Sequence, residues 1–102
     1  MQRENGADLY LIQSNVTGAV KIGRSKDVHV RLLDLQVGSP HKLRLLAYFT
    51  DKGHLEIYFH NLCRRHKLHM QGEWFHYDCL NEMPDWVYGQ LPENDRWWVV
   101  PG

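Results

Sequence analysis

Residues 9–23 read LYLIQSNVTGAVKIG, and this stretch decides the architecture. Two short runs of large apolar side chains, 9–13 and 19–23, flank Ser14, Asn15, Val16, Thr17 and Gly18, whose composition is that of a turn. They predict a hairpin. Working outward, Asp27 stands at an N-cap position, Val28, Leu32 and Leu35 recur at helical spacing, and Gly38 with Pro40 closes the segment, which predicts a helix of about three turns. Residues 43–50 (LRLLAYFT) predict a third strand, partly buried on both faces, and Asp51-Lys52-Gly53 a turn. Leu55, Phe59 and Leu62 mark the apolar side of a second helix over 54–67, and Trp74, Phe75 and Tyr77 after Gly72 a last strand. The order ββαβαβ predicts a small α+β sandwich.

Beyond residue 77 the chain changes character. Pro84, Pro92 and Pro101 interrupt any periodicity, while Trp86, Val87, Tyr88, Trp97, Trp98, Val99 and Val100 need an apolar surface to cover. We expect a domain over 1–77 and an aromatic, acidic extension over 78–102 packed on it. The chain has 102 residues, 43% hydrophobic, 12% aromatic and 24% charged, which excludes disordered, collagenous and transmembrane classes. The polar start Met1, Gln2, Arg3, Glu4, Asn5 is no secretory signal, so the expected location is intracellular, cytoplasmic or nuclear, with no membrane partner.

Net charge is zero but unevenly spread. Residues 1–20 carry −1, 21–44 carry +4, 45–72 carry +2 and 73–102 carry −5. A basic body with an acidic tail points to an anionic partner for the body. Lys21, Arg24, Lys26, Lys42 and Arg44 form the basic strip.

Four residues on this scaffold have joint chemical meaning: Tyr10, Lys21, Arg31 and Glu56. An ammonium on the neighbouring strand stabilises a phenolate and draws the tyrosine towards accepting a proton. A lone glutamate can anchor a Mg²⁺ that keeps most of its waters and binds substrate phosphate. The planar fork of an arginine suits the charge that builds on a phosphorane-like transition state. His60, four residues after Glu56, projects from the same helix face. Together these are the parts of a phosphodiester hydrolase.

The tyrosine of "LYLI", the eleven positions to Lys21-Ile22-Gly23, and the ten more to Arg31 resemble the opening of the GIY-YIG endonuclease superfamily. The similarity is to the branch named for a phage T5 open reading frame and a meiotically up-regulated gene, whose second triplet reads KIG. In that branch the second helix carries Glu followed four residues later by His, as Glu56 and His60 do, and the domain closes on a strand like Glu73-Trp74-Phe75. The resemblance covers residues 9–77. Asp8 and Leu9 stand where the family name has Gly and Ile, so the first triplet keeps only its tyrosine.

The resemblance implies a three-stranded antiparallel sheet flanked by helices and a metal-dependent nuclease, acting on DNA more than RNA, that leaves 5′-phosphate and 3′-hydroxyl ends. It implies Tyr10 as general base, Lys21 helping to ionise it, Arg31 on the scissile phosphate, Glu56 holding one Mg²⁺ or Mn²⁺, and His60 supporting the site. Arg24, Lys26, Lys42 and Arg44 would contact nucleic acid. With roughly four to six phosphate contacts, binding should be weak and steeply salt-dependent. That suits a single-strand or structure-selective enzyme, or one recruited by a protein partner, and a nuclease of this size that cuts both strands would most simply do so as a homodimer.

Two other readings compete. Cys63-x₂-His66 and His76-x₂-Cys79, with His69 between, resemble zinc-ligand spacing. Alternatively, the chain is a catalytically inactive module on the same fold, binding nucleic acid through the basic strip or protein through the aromatic tail. With Trp86, Trp97 and Trp98 in an acidic stretch, a further expectation is that this tail docks across the basic face, or packs a second copy of the chain, and restrains activity until a partner displaces it.

Overall fold

The computed structural model describes residues 6–91. The hairpin forms as β1 (Asp8–Ser14) and β2 (Val20–Ser25), antiparallel, with Tyr10 opposite Gly23 and Ile12 opposite Lys21. Gly18 makes its turn possible at φ 77°, a left-handed backbone conformation that costs glycine little. The Ser14 hydroxyl accepts from the amides of Val16 and Thr17, and Gln13 Nε2 donates to the Gly18 carbonyl at 2.9 Å. β3 (Leu43–Phe49) pairs antiparallel with the other edge of β1, with a register shift between Leu11 and Ile12.

Alternation along β1 feeds two cores. Tyr10 and Ile12 face α1 (Val28–Val37), where Val28, Leu32 and Leu35 pack with Leu43, Leu45 and Trp74. Leu9 and Leu11 face α2 (Glu56–Arg65) and share the larger core with Ile22, Phe59, Cys63 and Phe75. α1 starts as the sequence predicts, whereas α2 starts two residues after the expected position 54. The carboxylate of Asp27 accepts from the Val30 amide at 3.1 Å, and a 3₁₀ turn over Gly53–Leu55 leads into α2. Gly53 is needed there. Its amide donates to the Ala7 carbonyl at 3.1 Å, and a Cβ on it would fall 2.9 Å from the Ala7 side chain. That close approach pins the first turn of α2 to the start of the sheet.

The sheet has five strands in the order β3-β1-β2-β5-β4, not the three expected. The extra pair is the hairpin of β4 (His69–Gln71) and β5 (Trp74–Phe75), turned at Gly72 and added to the free edge of β2. β4 carries no hydrophobic alternation because all three of its residues are exposed, so only its partner strand left a signal. After β5, a 3₁₀ segment over Tyr77–Glu82 and α3 (Asp85–Tyr88) place Cys79, Leu80, Met83 and Val87 in the larger core beside Phe59. Trp86 meets Phe49 edge-on at 5.1 Å between ring centroids. Of the three tryptophans on which the docking-tail reading rests, Trp86 thus packs on the domain, and Trp97 and Trp98 lie outside the described residues. No helix among the described residues is long and apolar enough to cross a membrane.

Candidate active site

Glycine at position 23 lets the tyrosine of β1 occupy its place. The Tyr10 ring lies over the backbone of Gly23, its register partner, and a Cβ at Gly23 would come 2.5 Å from the ring's Cζ. Any side chain there would displace the phenol. Arg31, from the second turn of α1, is within hydrogen-bonding reach of the Tyr10 hydroxyl. Burial pushes the Tyr10 pKa up, and the Arg31 hydrogen bond and charge only partly oppose it. The phenol is therefore neutral at neutral pH.

Lys21 stands one diagonal step from Tyr10 on the same face, because it pairs with Ile12. Its ammonium is not directed at the phenol. It forms an ion pair with Glu73 at 3.0 Å and lies 5.7 Å from the centre of the Trp74 ring. The cation at Tyr10 is Arg31.

Glu73 joins the two faces of the sheet. One side of its carboxylate takes Lys21, and the other is within hydrogen-bonding reach of Glu56, which comes from the first turn of α2. Glu56 is 9% exposed, and its pKa is raised first by burial and then by the charge of Glu73, with His60 and Arg24 pulling the other way. Burial also raises the Glu73 carboxyl, but the hydrogen bond and charge of Lys21 outweigh it and hold it below the usual range. As pH falls, Glu56 is therefore the carboxyl of the pair that gives its charge up first.

The peptide of Ile22 fixes this meeting. Its amide donates to the Glu73 carbonyl at 3.1 Å, and its carbonyl accepts from His60 Nε2 at 2.7 Å. One residue of β2 thereby ties the β4–β5 turn and α2 together at the point where Glu73 and Glu56 converge. His60 is buried, carries its proton on Nε2, and its ring centre lies 5.1 Å from that of Phe75.

The basic residues divide between the two ends of the sheet. Arg24 and Lys26 sit where β1 begins, with Arg24 Nε 3.8 Å from Glu56, whereas Lys42 and Arg44 sit where β3 begins, beside the β1–β2 turn. The zinc pattern is not assembled among the described residues. Cys63 and Cys79 are fully buried in the larger core and hydrogen-bonded to each other, His66 pairs with Glu82 at 3.1 Å, and His69 bonds the Gly72 carbonyl. No group of three or more His, Cys, Asp or Glu side chains stands in metal-ligating array among the described residues. Two adjacent carboxylates are nevertheless an oxygen donor set that suits a hard divalent cation. Sequence reasoning gave Glu73 no role. Its signal was there in the closing Glu-Trp-Phe strand, but only the short β5, seated against β2, reveals that the carboxylate reaches Lys21 and Glu56.

Comparison with known proteins adds one match. The family model described as the T5orf172 domain covers residues 8–90 of the chain. No curated protein and no solved structure matches it significantly.

Proposed function

The chain belongs to the T5orf172 domain family, and on that basis we propose that it is a metal-dependent endonuclease that hydrolyses phosphodiester bonds of nucleic acid, DNA first, to 5′-phosphate and 3′-hydroxyl ends. The observation that carries this reading is the convergence of Tyr10, Arg31, Lys21, Glu73, Glu56 and His60 from β1, α1, β2, the β4–β5 turn and α2.

Glu56 and Glu73 would hold one Mg²⁺ or Mn²⁺, whose remaining shell is water and phosphate oxygen. When bound, such an ion neutralises the carboxylates and polarises the phosphate. Arg31 lies against the scissile phosphate, where its planar fork meets the charge that builds in the transition state. In its phenolate form Tyr10 accepts the proton of the attacking water as the new P–O bond forms and the bond to the 3′-oxygen breaks, the departing oxygen taking its proton from solvent water. Arg31 favours the phenolate, whereas the charges of Glu73 and Glu56 oppose it. Lys21 acts through Glu73 as a positioning residue, and His60 acts through the β2 backbone. Arg24 and Lys26 at one end, Lys42 and Arg44 at the other, carry the strand across.

A second reading has its own support. Burial keeps Tyr10 protonated and Lys21 is committed to Glu73, which is also what a nucleic-acid-binding module without chemistry would show. Incubation of labelled single-stranded and duplex DNA with Mg²⁺ or Mn²⁺ at low salt separates the two. Cutting that a chelator stops is the expected result, and binding without cutting supports the module.

A further inference from the structure

Beside Lys21, on the face of the sheet that carries Tyr10, the surface opens into a cleft of about 380 Å³. Its walls come from the β1–β2 turn (Ser14), the loop before β3 (Ser39, His41), β4 (Met70, Gln71) and the half-buried ring of Trp74. The loop wall is held in place. Gln36 Nε2 donates to the His41 carbonyl at 2.9 Å, Gln36 Oε1 accepts from the Leu43 amide at 2.8 Å, and the Asn15 amide donates to the Lys42 carbonyl at 3.0 Å. The cleft is therefore largely pre-formed, as ligand sites usually are.

Its chemistry is specific in sign. Lys, Arg, Asp and Glu are absent from the lining, which is mostly apolar with a few hydroxyl, amide and imidazole groups. Two cations adjoin these residues: the Lys21 ammonium lies 5.7 Å from the centre of the Trp74 ring, and Lys42 is the chain neighbour of the lining residues His41 and Leu43. A neutral planar ring fits the interior, and the sugar-phosphate backbone that carries it stays outside. Trp74 presents an indole on which such a ring can stack, and stacking is the sequence-tolerant way proteins hold unpaired bases. Ser14 already accepts two amide hydrogens, so a ligand meets its hydroxyl as a donor. The volume exceeds that of a single base and falls within the usual range for small-ligand sites.

We propose that this cleft receives one unpaired nucleobase of the substrate strand, stacked on Trp74, next to the scissile phosphate of the proposed active site. Trp74 follows Glu73 directly in the chain, so the base and the phosphate would be adjacent parts of one strand. The inference rests on the nuclease reading and refines it. A base inside a duplex cannot enter such a cleft without leaving its stack, so single-stranded or locally opened nucleic acid is the preferred substrate.

The test uses the full chain and labelled DNA single strands of one length, either intact or with one abasic position moved along the strand, together with the matching duplex. Binding anisotropy and cleavage are read on the same samples. The expected result is tighter binding to the single strand than to the duplex, and a roughly tenfold affinity loss when the abasic position reaches one particular place. Trp74→Ala should produce the same loss on the intact strand and no further loss on that abasic strand, while Trp74→Phe retains most of the affinity. Equal binding of all abasic strands by the native protein overturns the inference, and needs no variant to fold. Absence of cutting in samples that show the position-dependent loss removes the catalytic reading alone and leaves the base site standing.

Discussion

The phenol of Tyr10 lies over Gly23 so closely that even a methyl group at position 23 would fall 2.5 Å from its Cζ. The glycine of the KIG triplet is thus explained by contact across the hairpin, since the tyrosine needs the space a side chain would fill. Gly23→Ala should push the ring from its place beside Arg31 and destabilise the fold by about 1–3 kcal/mol, the usual cost of overpacking. Thermal melting checks the loss. Pairing Gly23→Ala with Tyr10→Ala should recover part of it, because the obstructing ring is then absent, and purely additive losses would contradict the contact.

Glu56 gives a prediction of opposite sign. A carboxyl whose pKa is raised on folding contributes stability that is present below its unfolded value and lost as pH rises through the folded one. At neutral pH the ionised group therefore costs stability. Glu56→Gln should raise the melting temperature by a few degrees at pH 7, corresponding to roughly 0.5–1 kcal/mol, with the gain shrinking as pH falls through the raised folded pKa and gone below the unfolded value of about 4.3. Adding Mg²⁺ or Mn²⁺ should stabilise the native chain and not the variant. A destabilised Glu56→Gln protein would show that the carboxylate pair is not strained by its own charge.

The alkaline side belongs to Tyr10. Its folded pKa is raised above the ordinary value near 10, so its contribution is fully present below that pH and lost as pH rises through the folded value. Tyr10→Phe should cost about 1 kcal/mol at neutral pH by removing the hydrogen bond with Arg31. That difference should narrow under strongly alkaline conditions. Of the five tyrosines, one should resist ionisation in a phenolate absorbance titration, and it should be missing from the Tyr10→Phe trace.

Lys21 and Glu73 are testable as a pair. With Glu73 40% exposed, solvent screens the ion pair, and a double-mutant cycle of Lys21→Met and Glu73→Gln should return a coupling of about 0.5–1 kcal/mol. Coupling of Lys21 to Tyr10 that exceeds its coupling to Glu73 would reassign the lysine to the phenol.

Much of this was legible in the sequence. Asp27 and the spacing of Val28, Leu32 and Leu35 give α1 both its start and its buried face, because capping and periodicity are local signals. The hairpin followed from its turn residues. What stayed hidden depended on register and on distant contacts. The three exposed residues of β4 carry no pattern, so the sheet reads as three strands when it has five. Tyr10 and Lys21 sit on adjacent strands, but a diagonal register leaves Arg31 at the phenol and Glu73 at the ammonium. The basic residues, close in sequence, separate to opposite ends of the sheet because α1 and its connections lie between Lys26 and Lys42.

The most direct test of the central claim is the rate of metal-dependent DNA cleavage by the native chain beside equally pure Glu56→Ala, Tyr10→Phe and Arg31→Ala proteins. The native chain should cut, and each folded variant should lose roughly a hundredfold or more, in line with removal of a general base or a transition-state charge partner. Native-level cutting by Glu56→Ala and Tyr10→Phe, or DNA binding by the native chain with no cutting under any divalent ion, would contradict it.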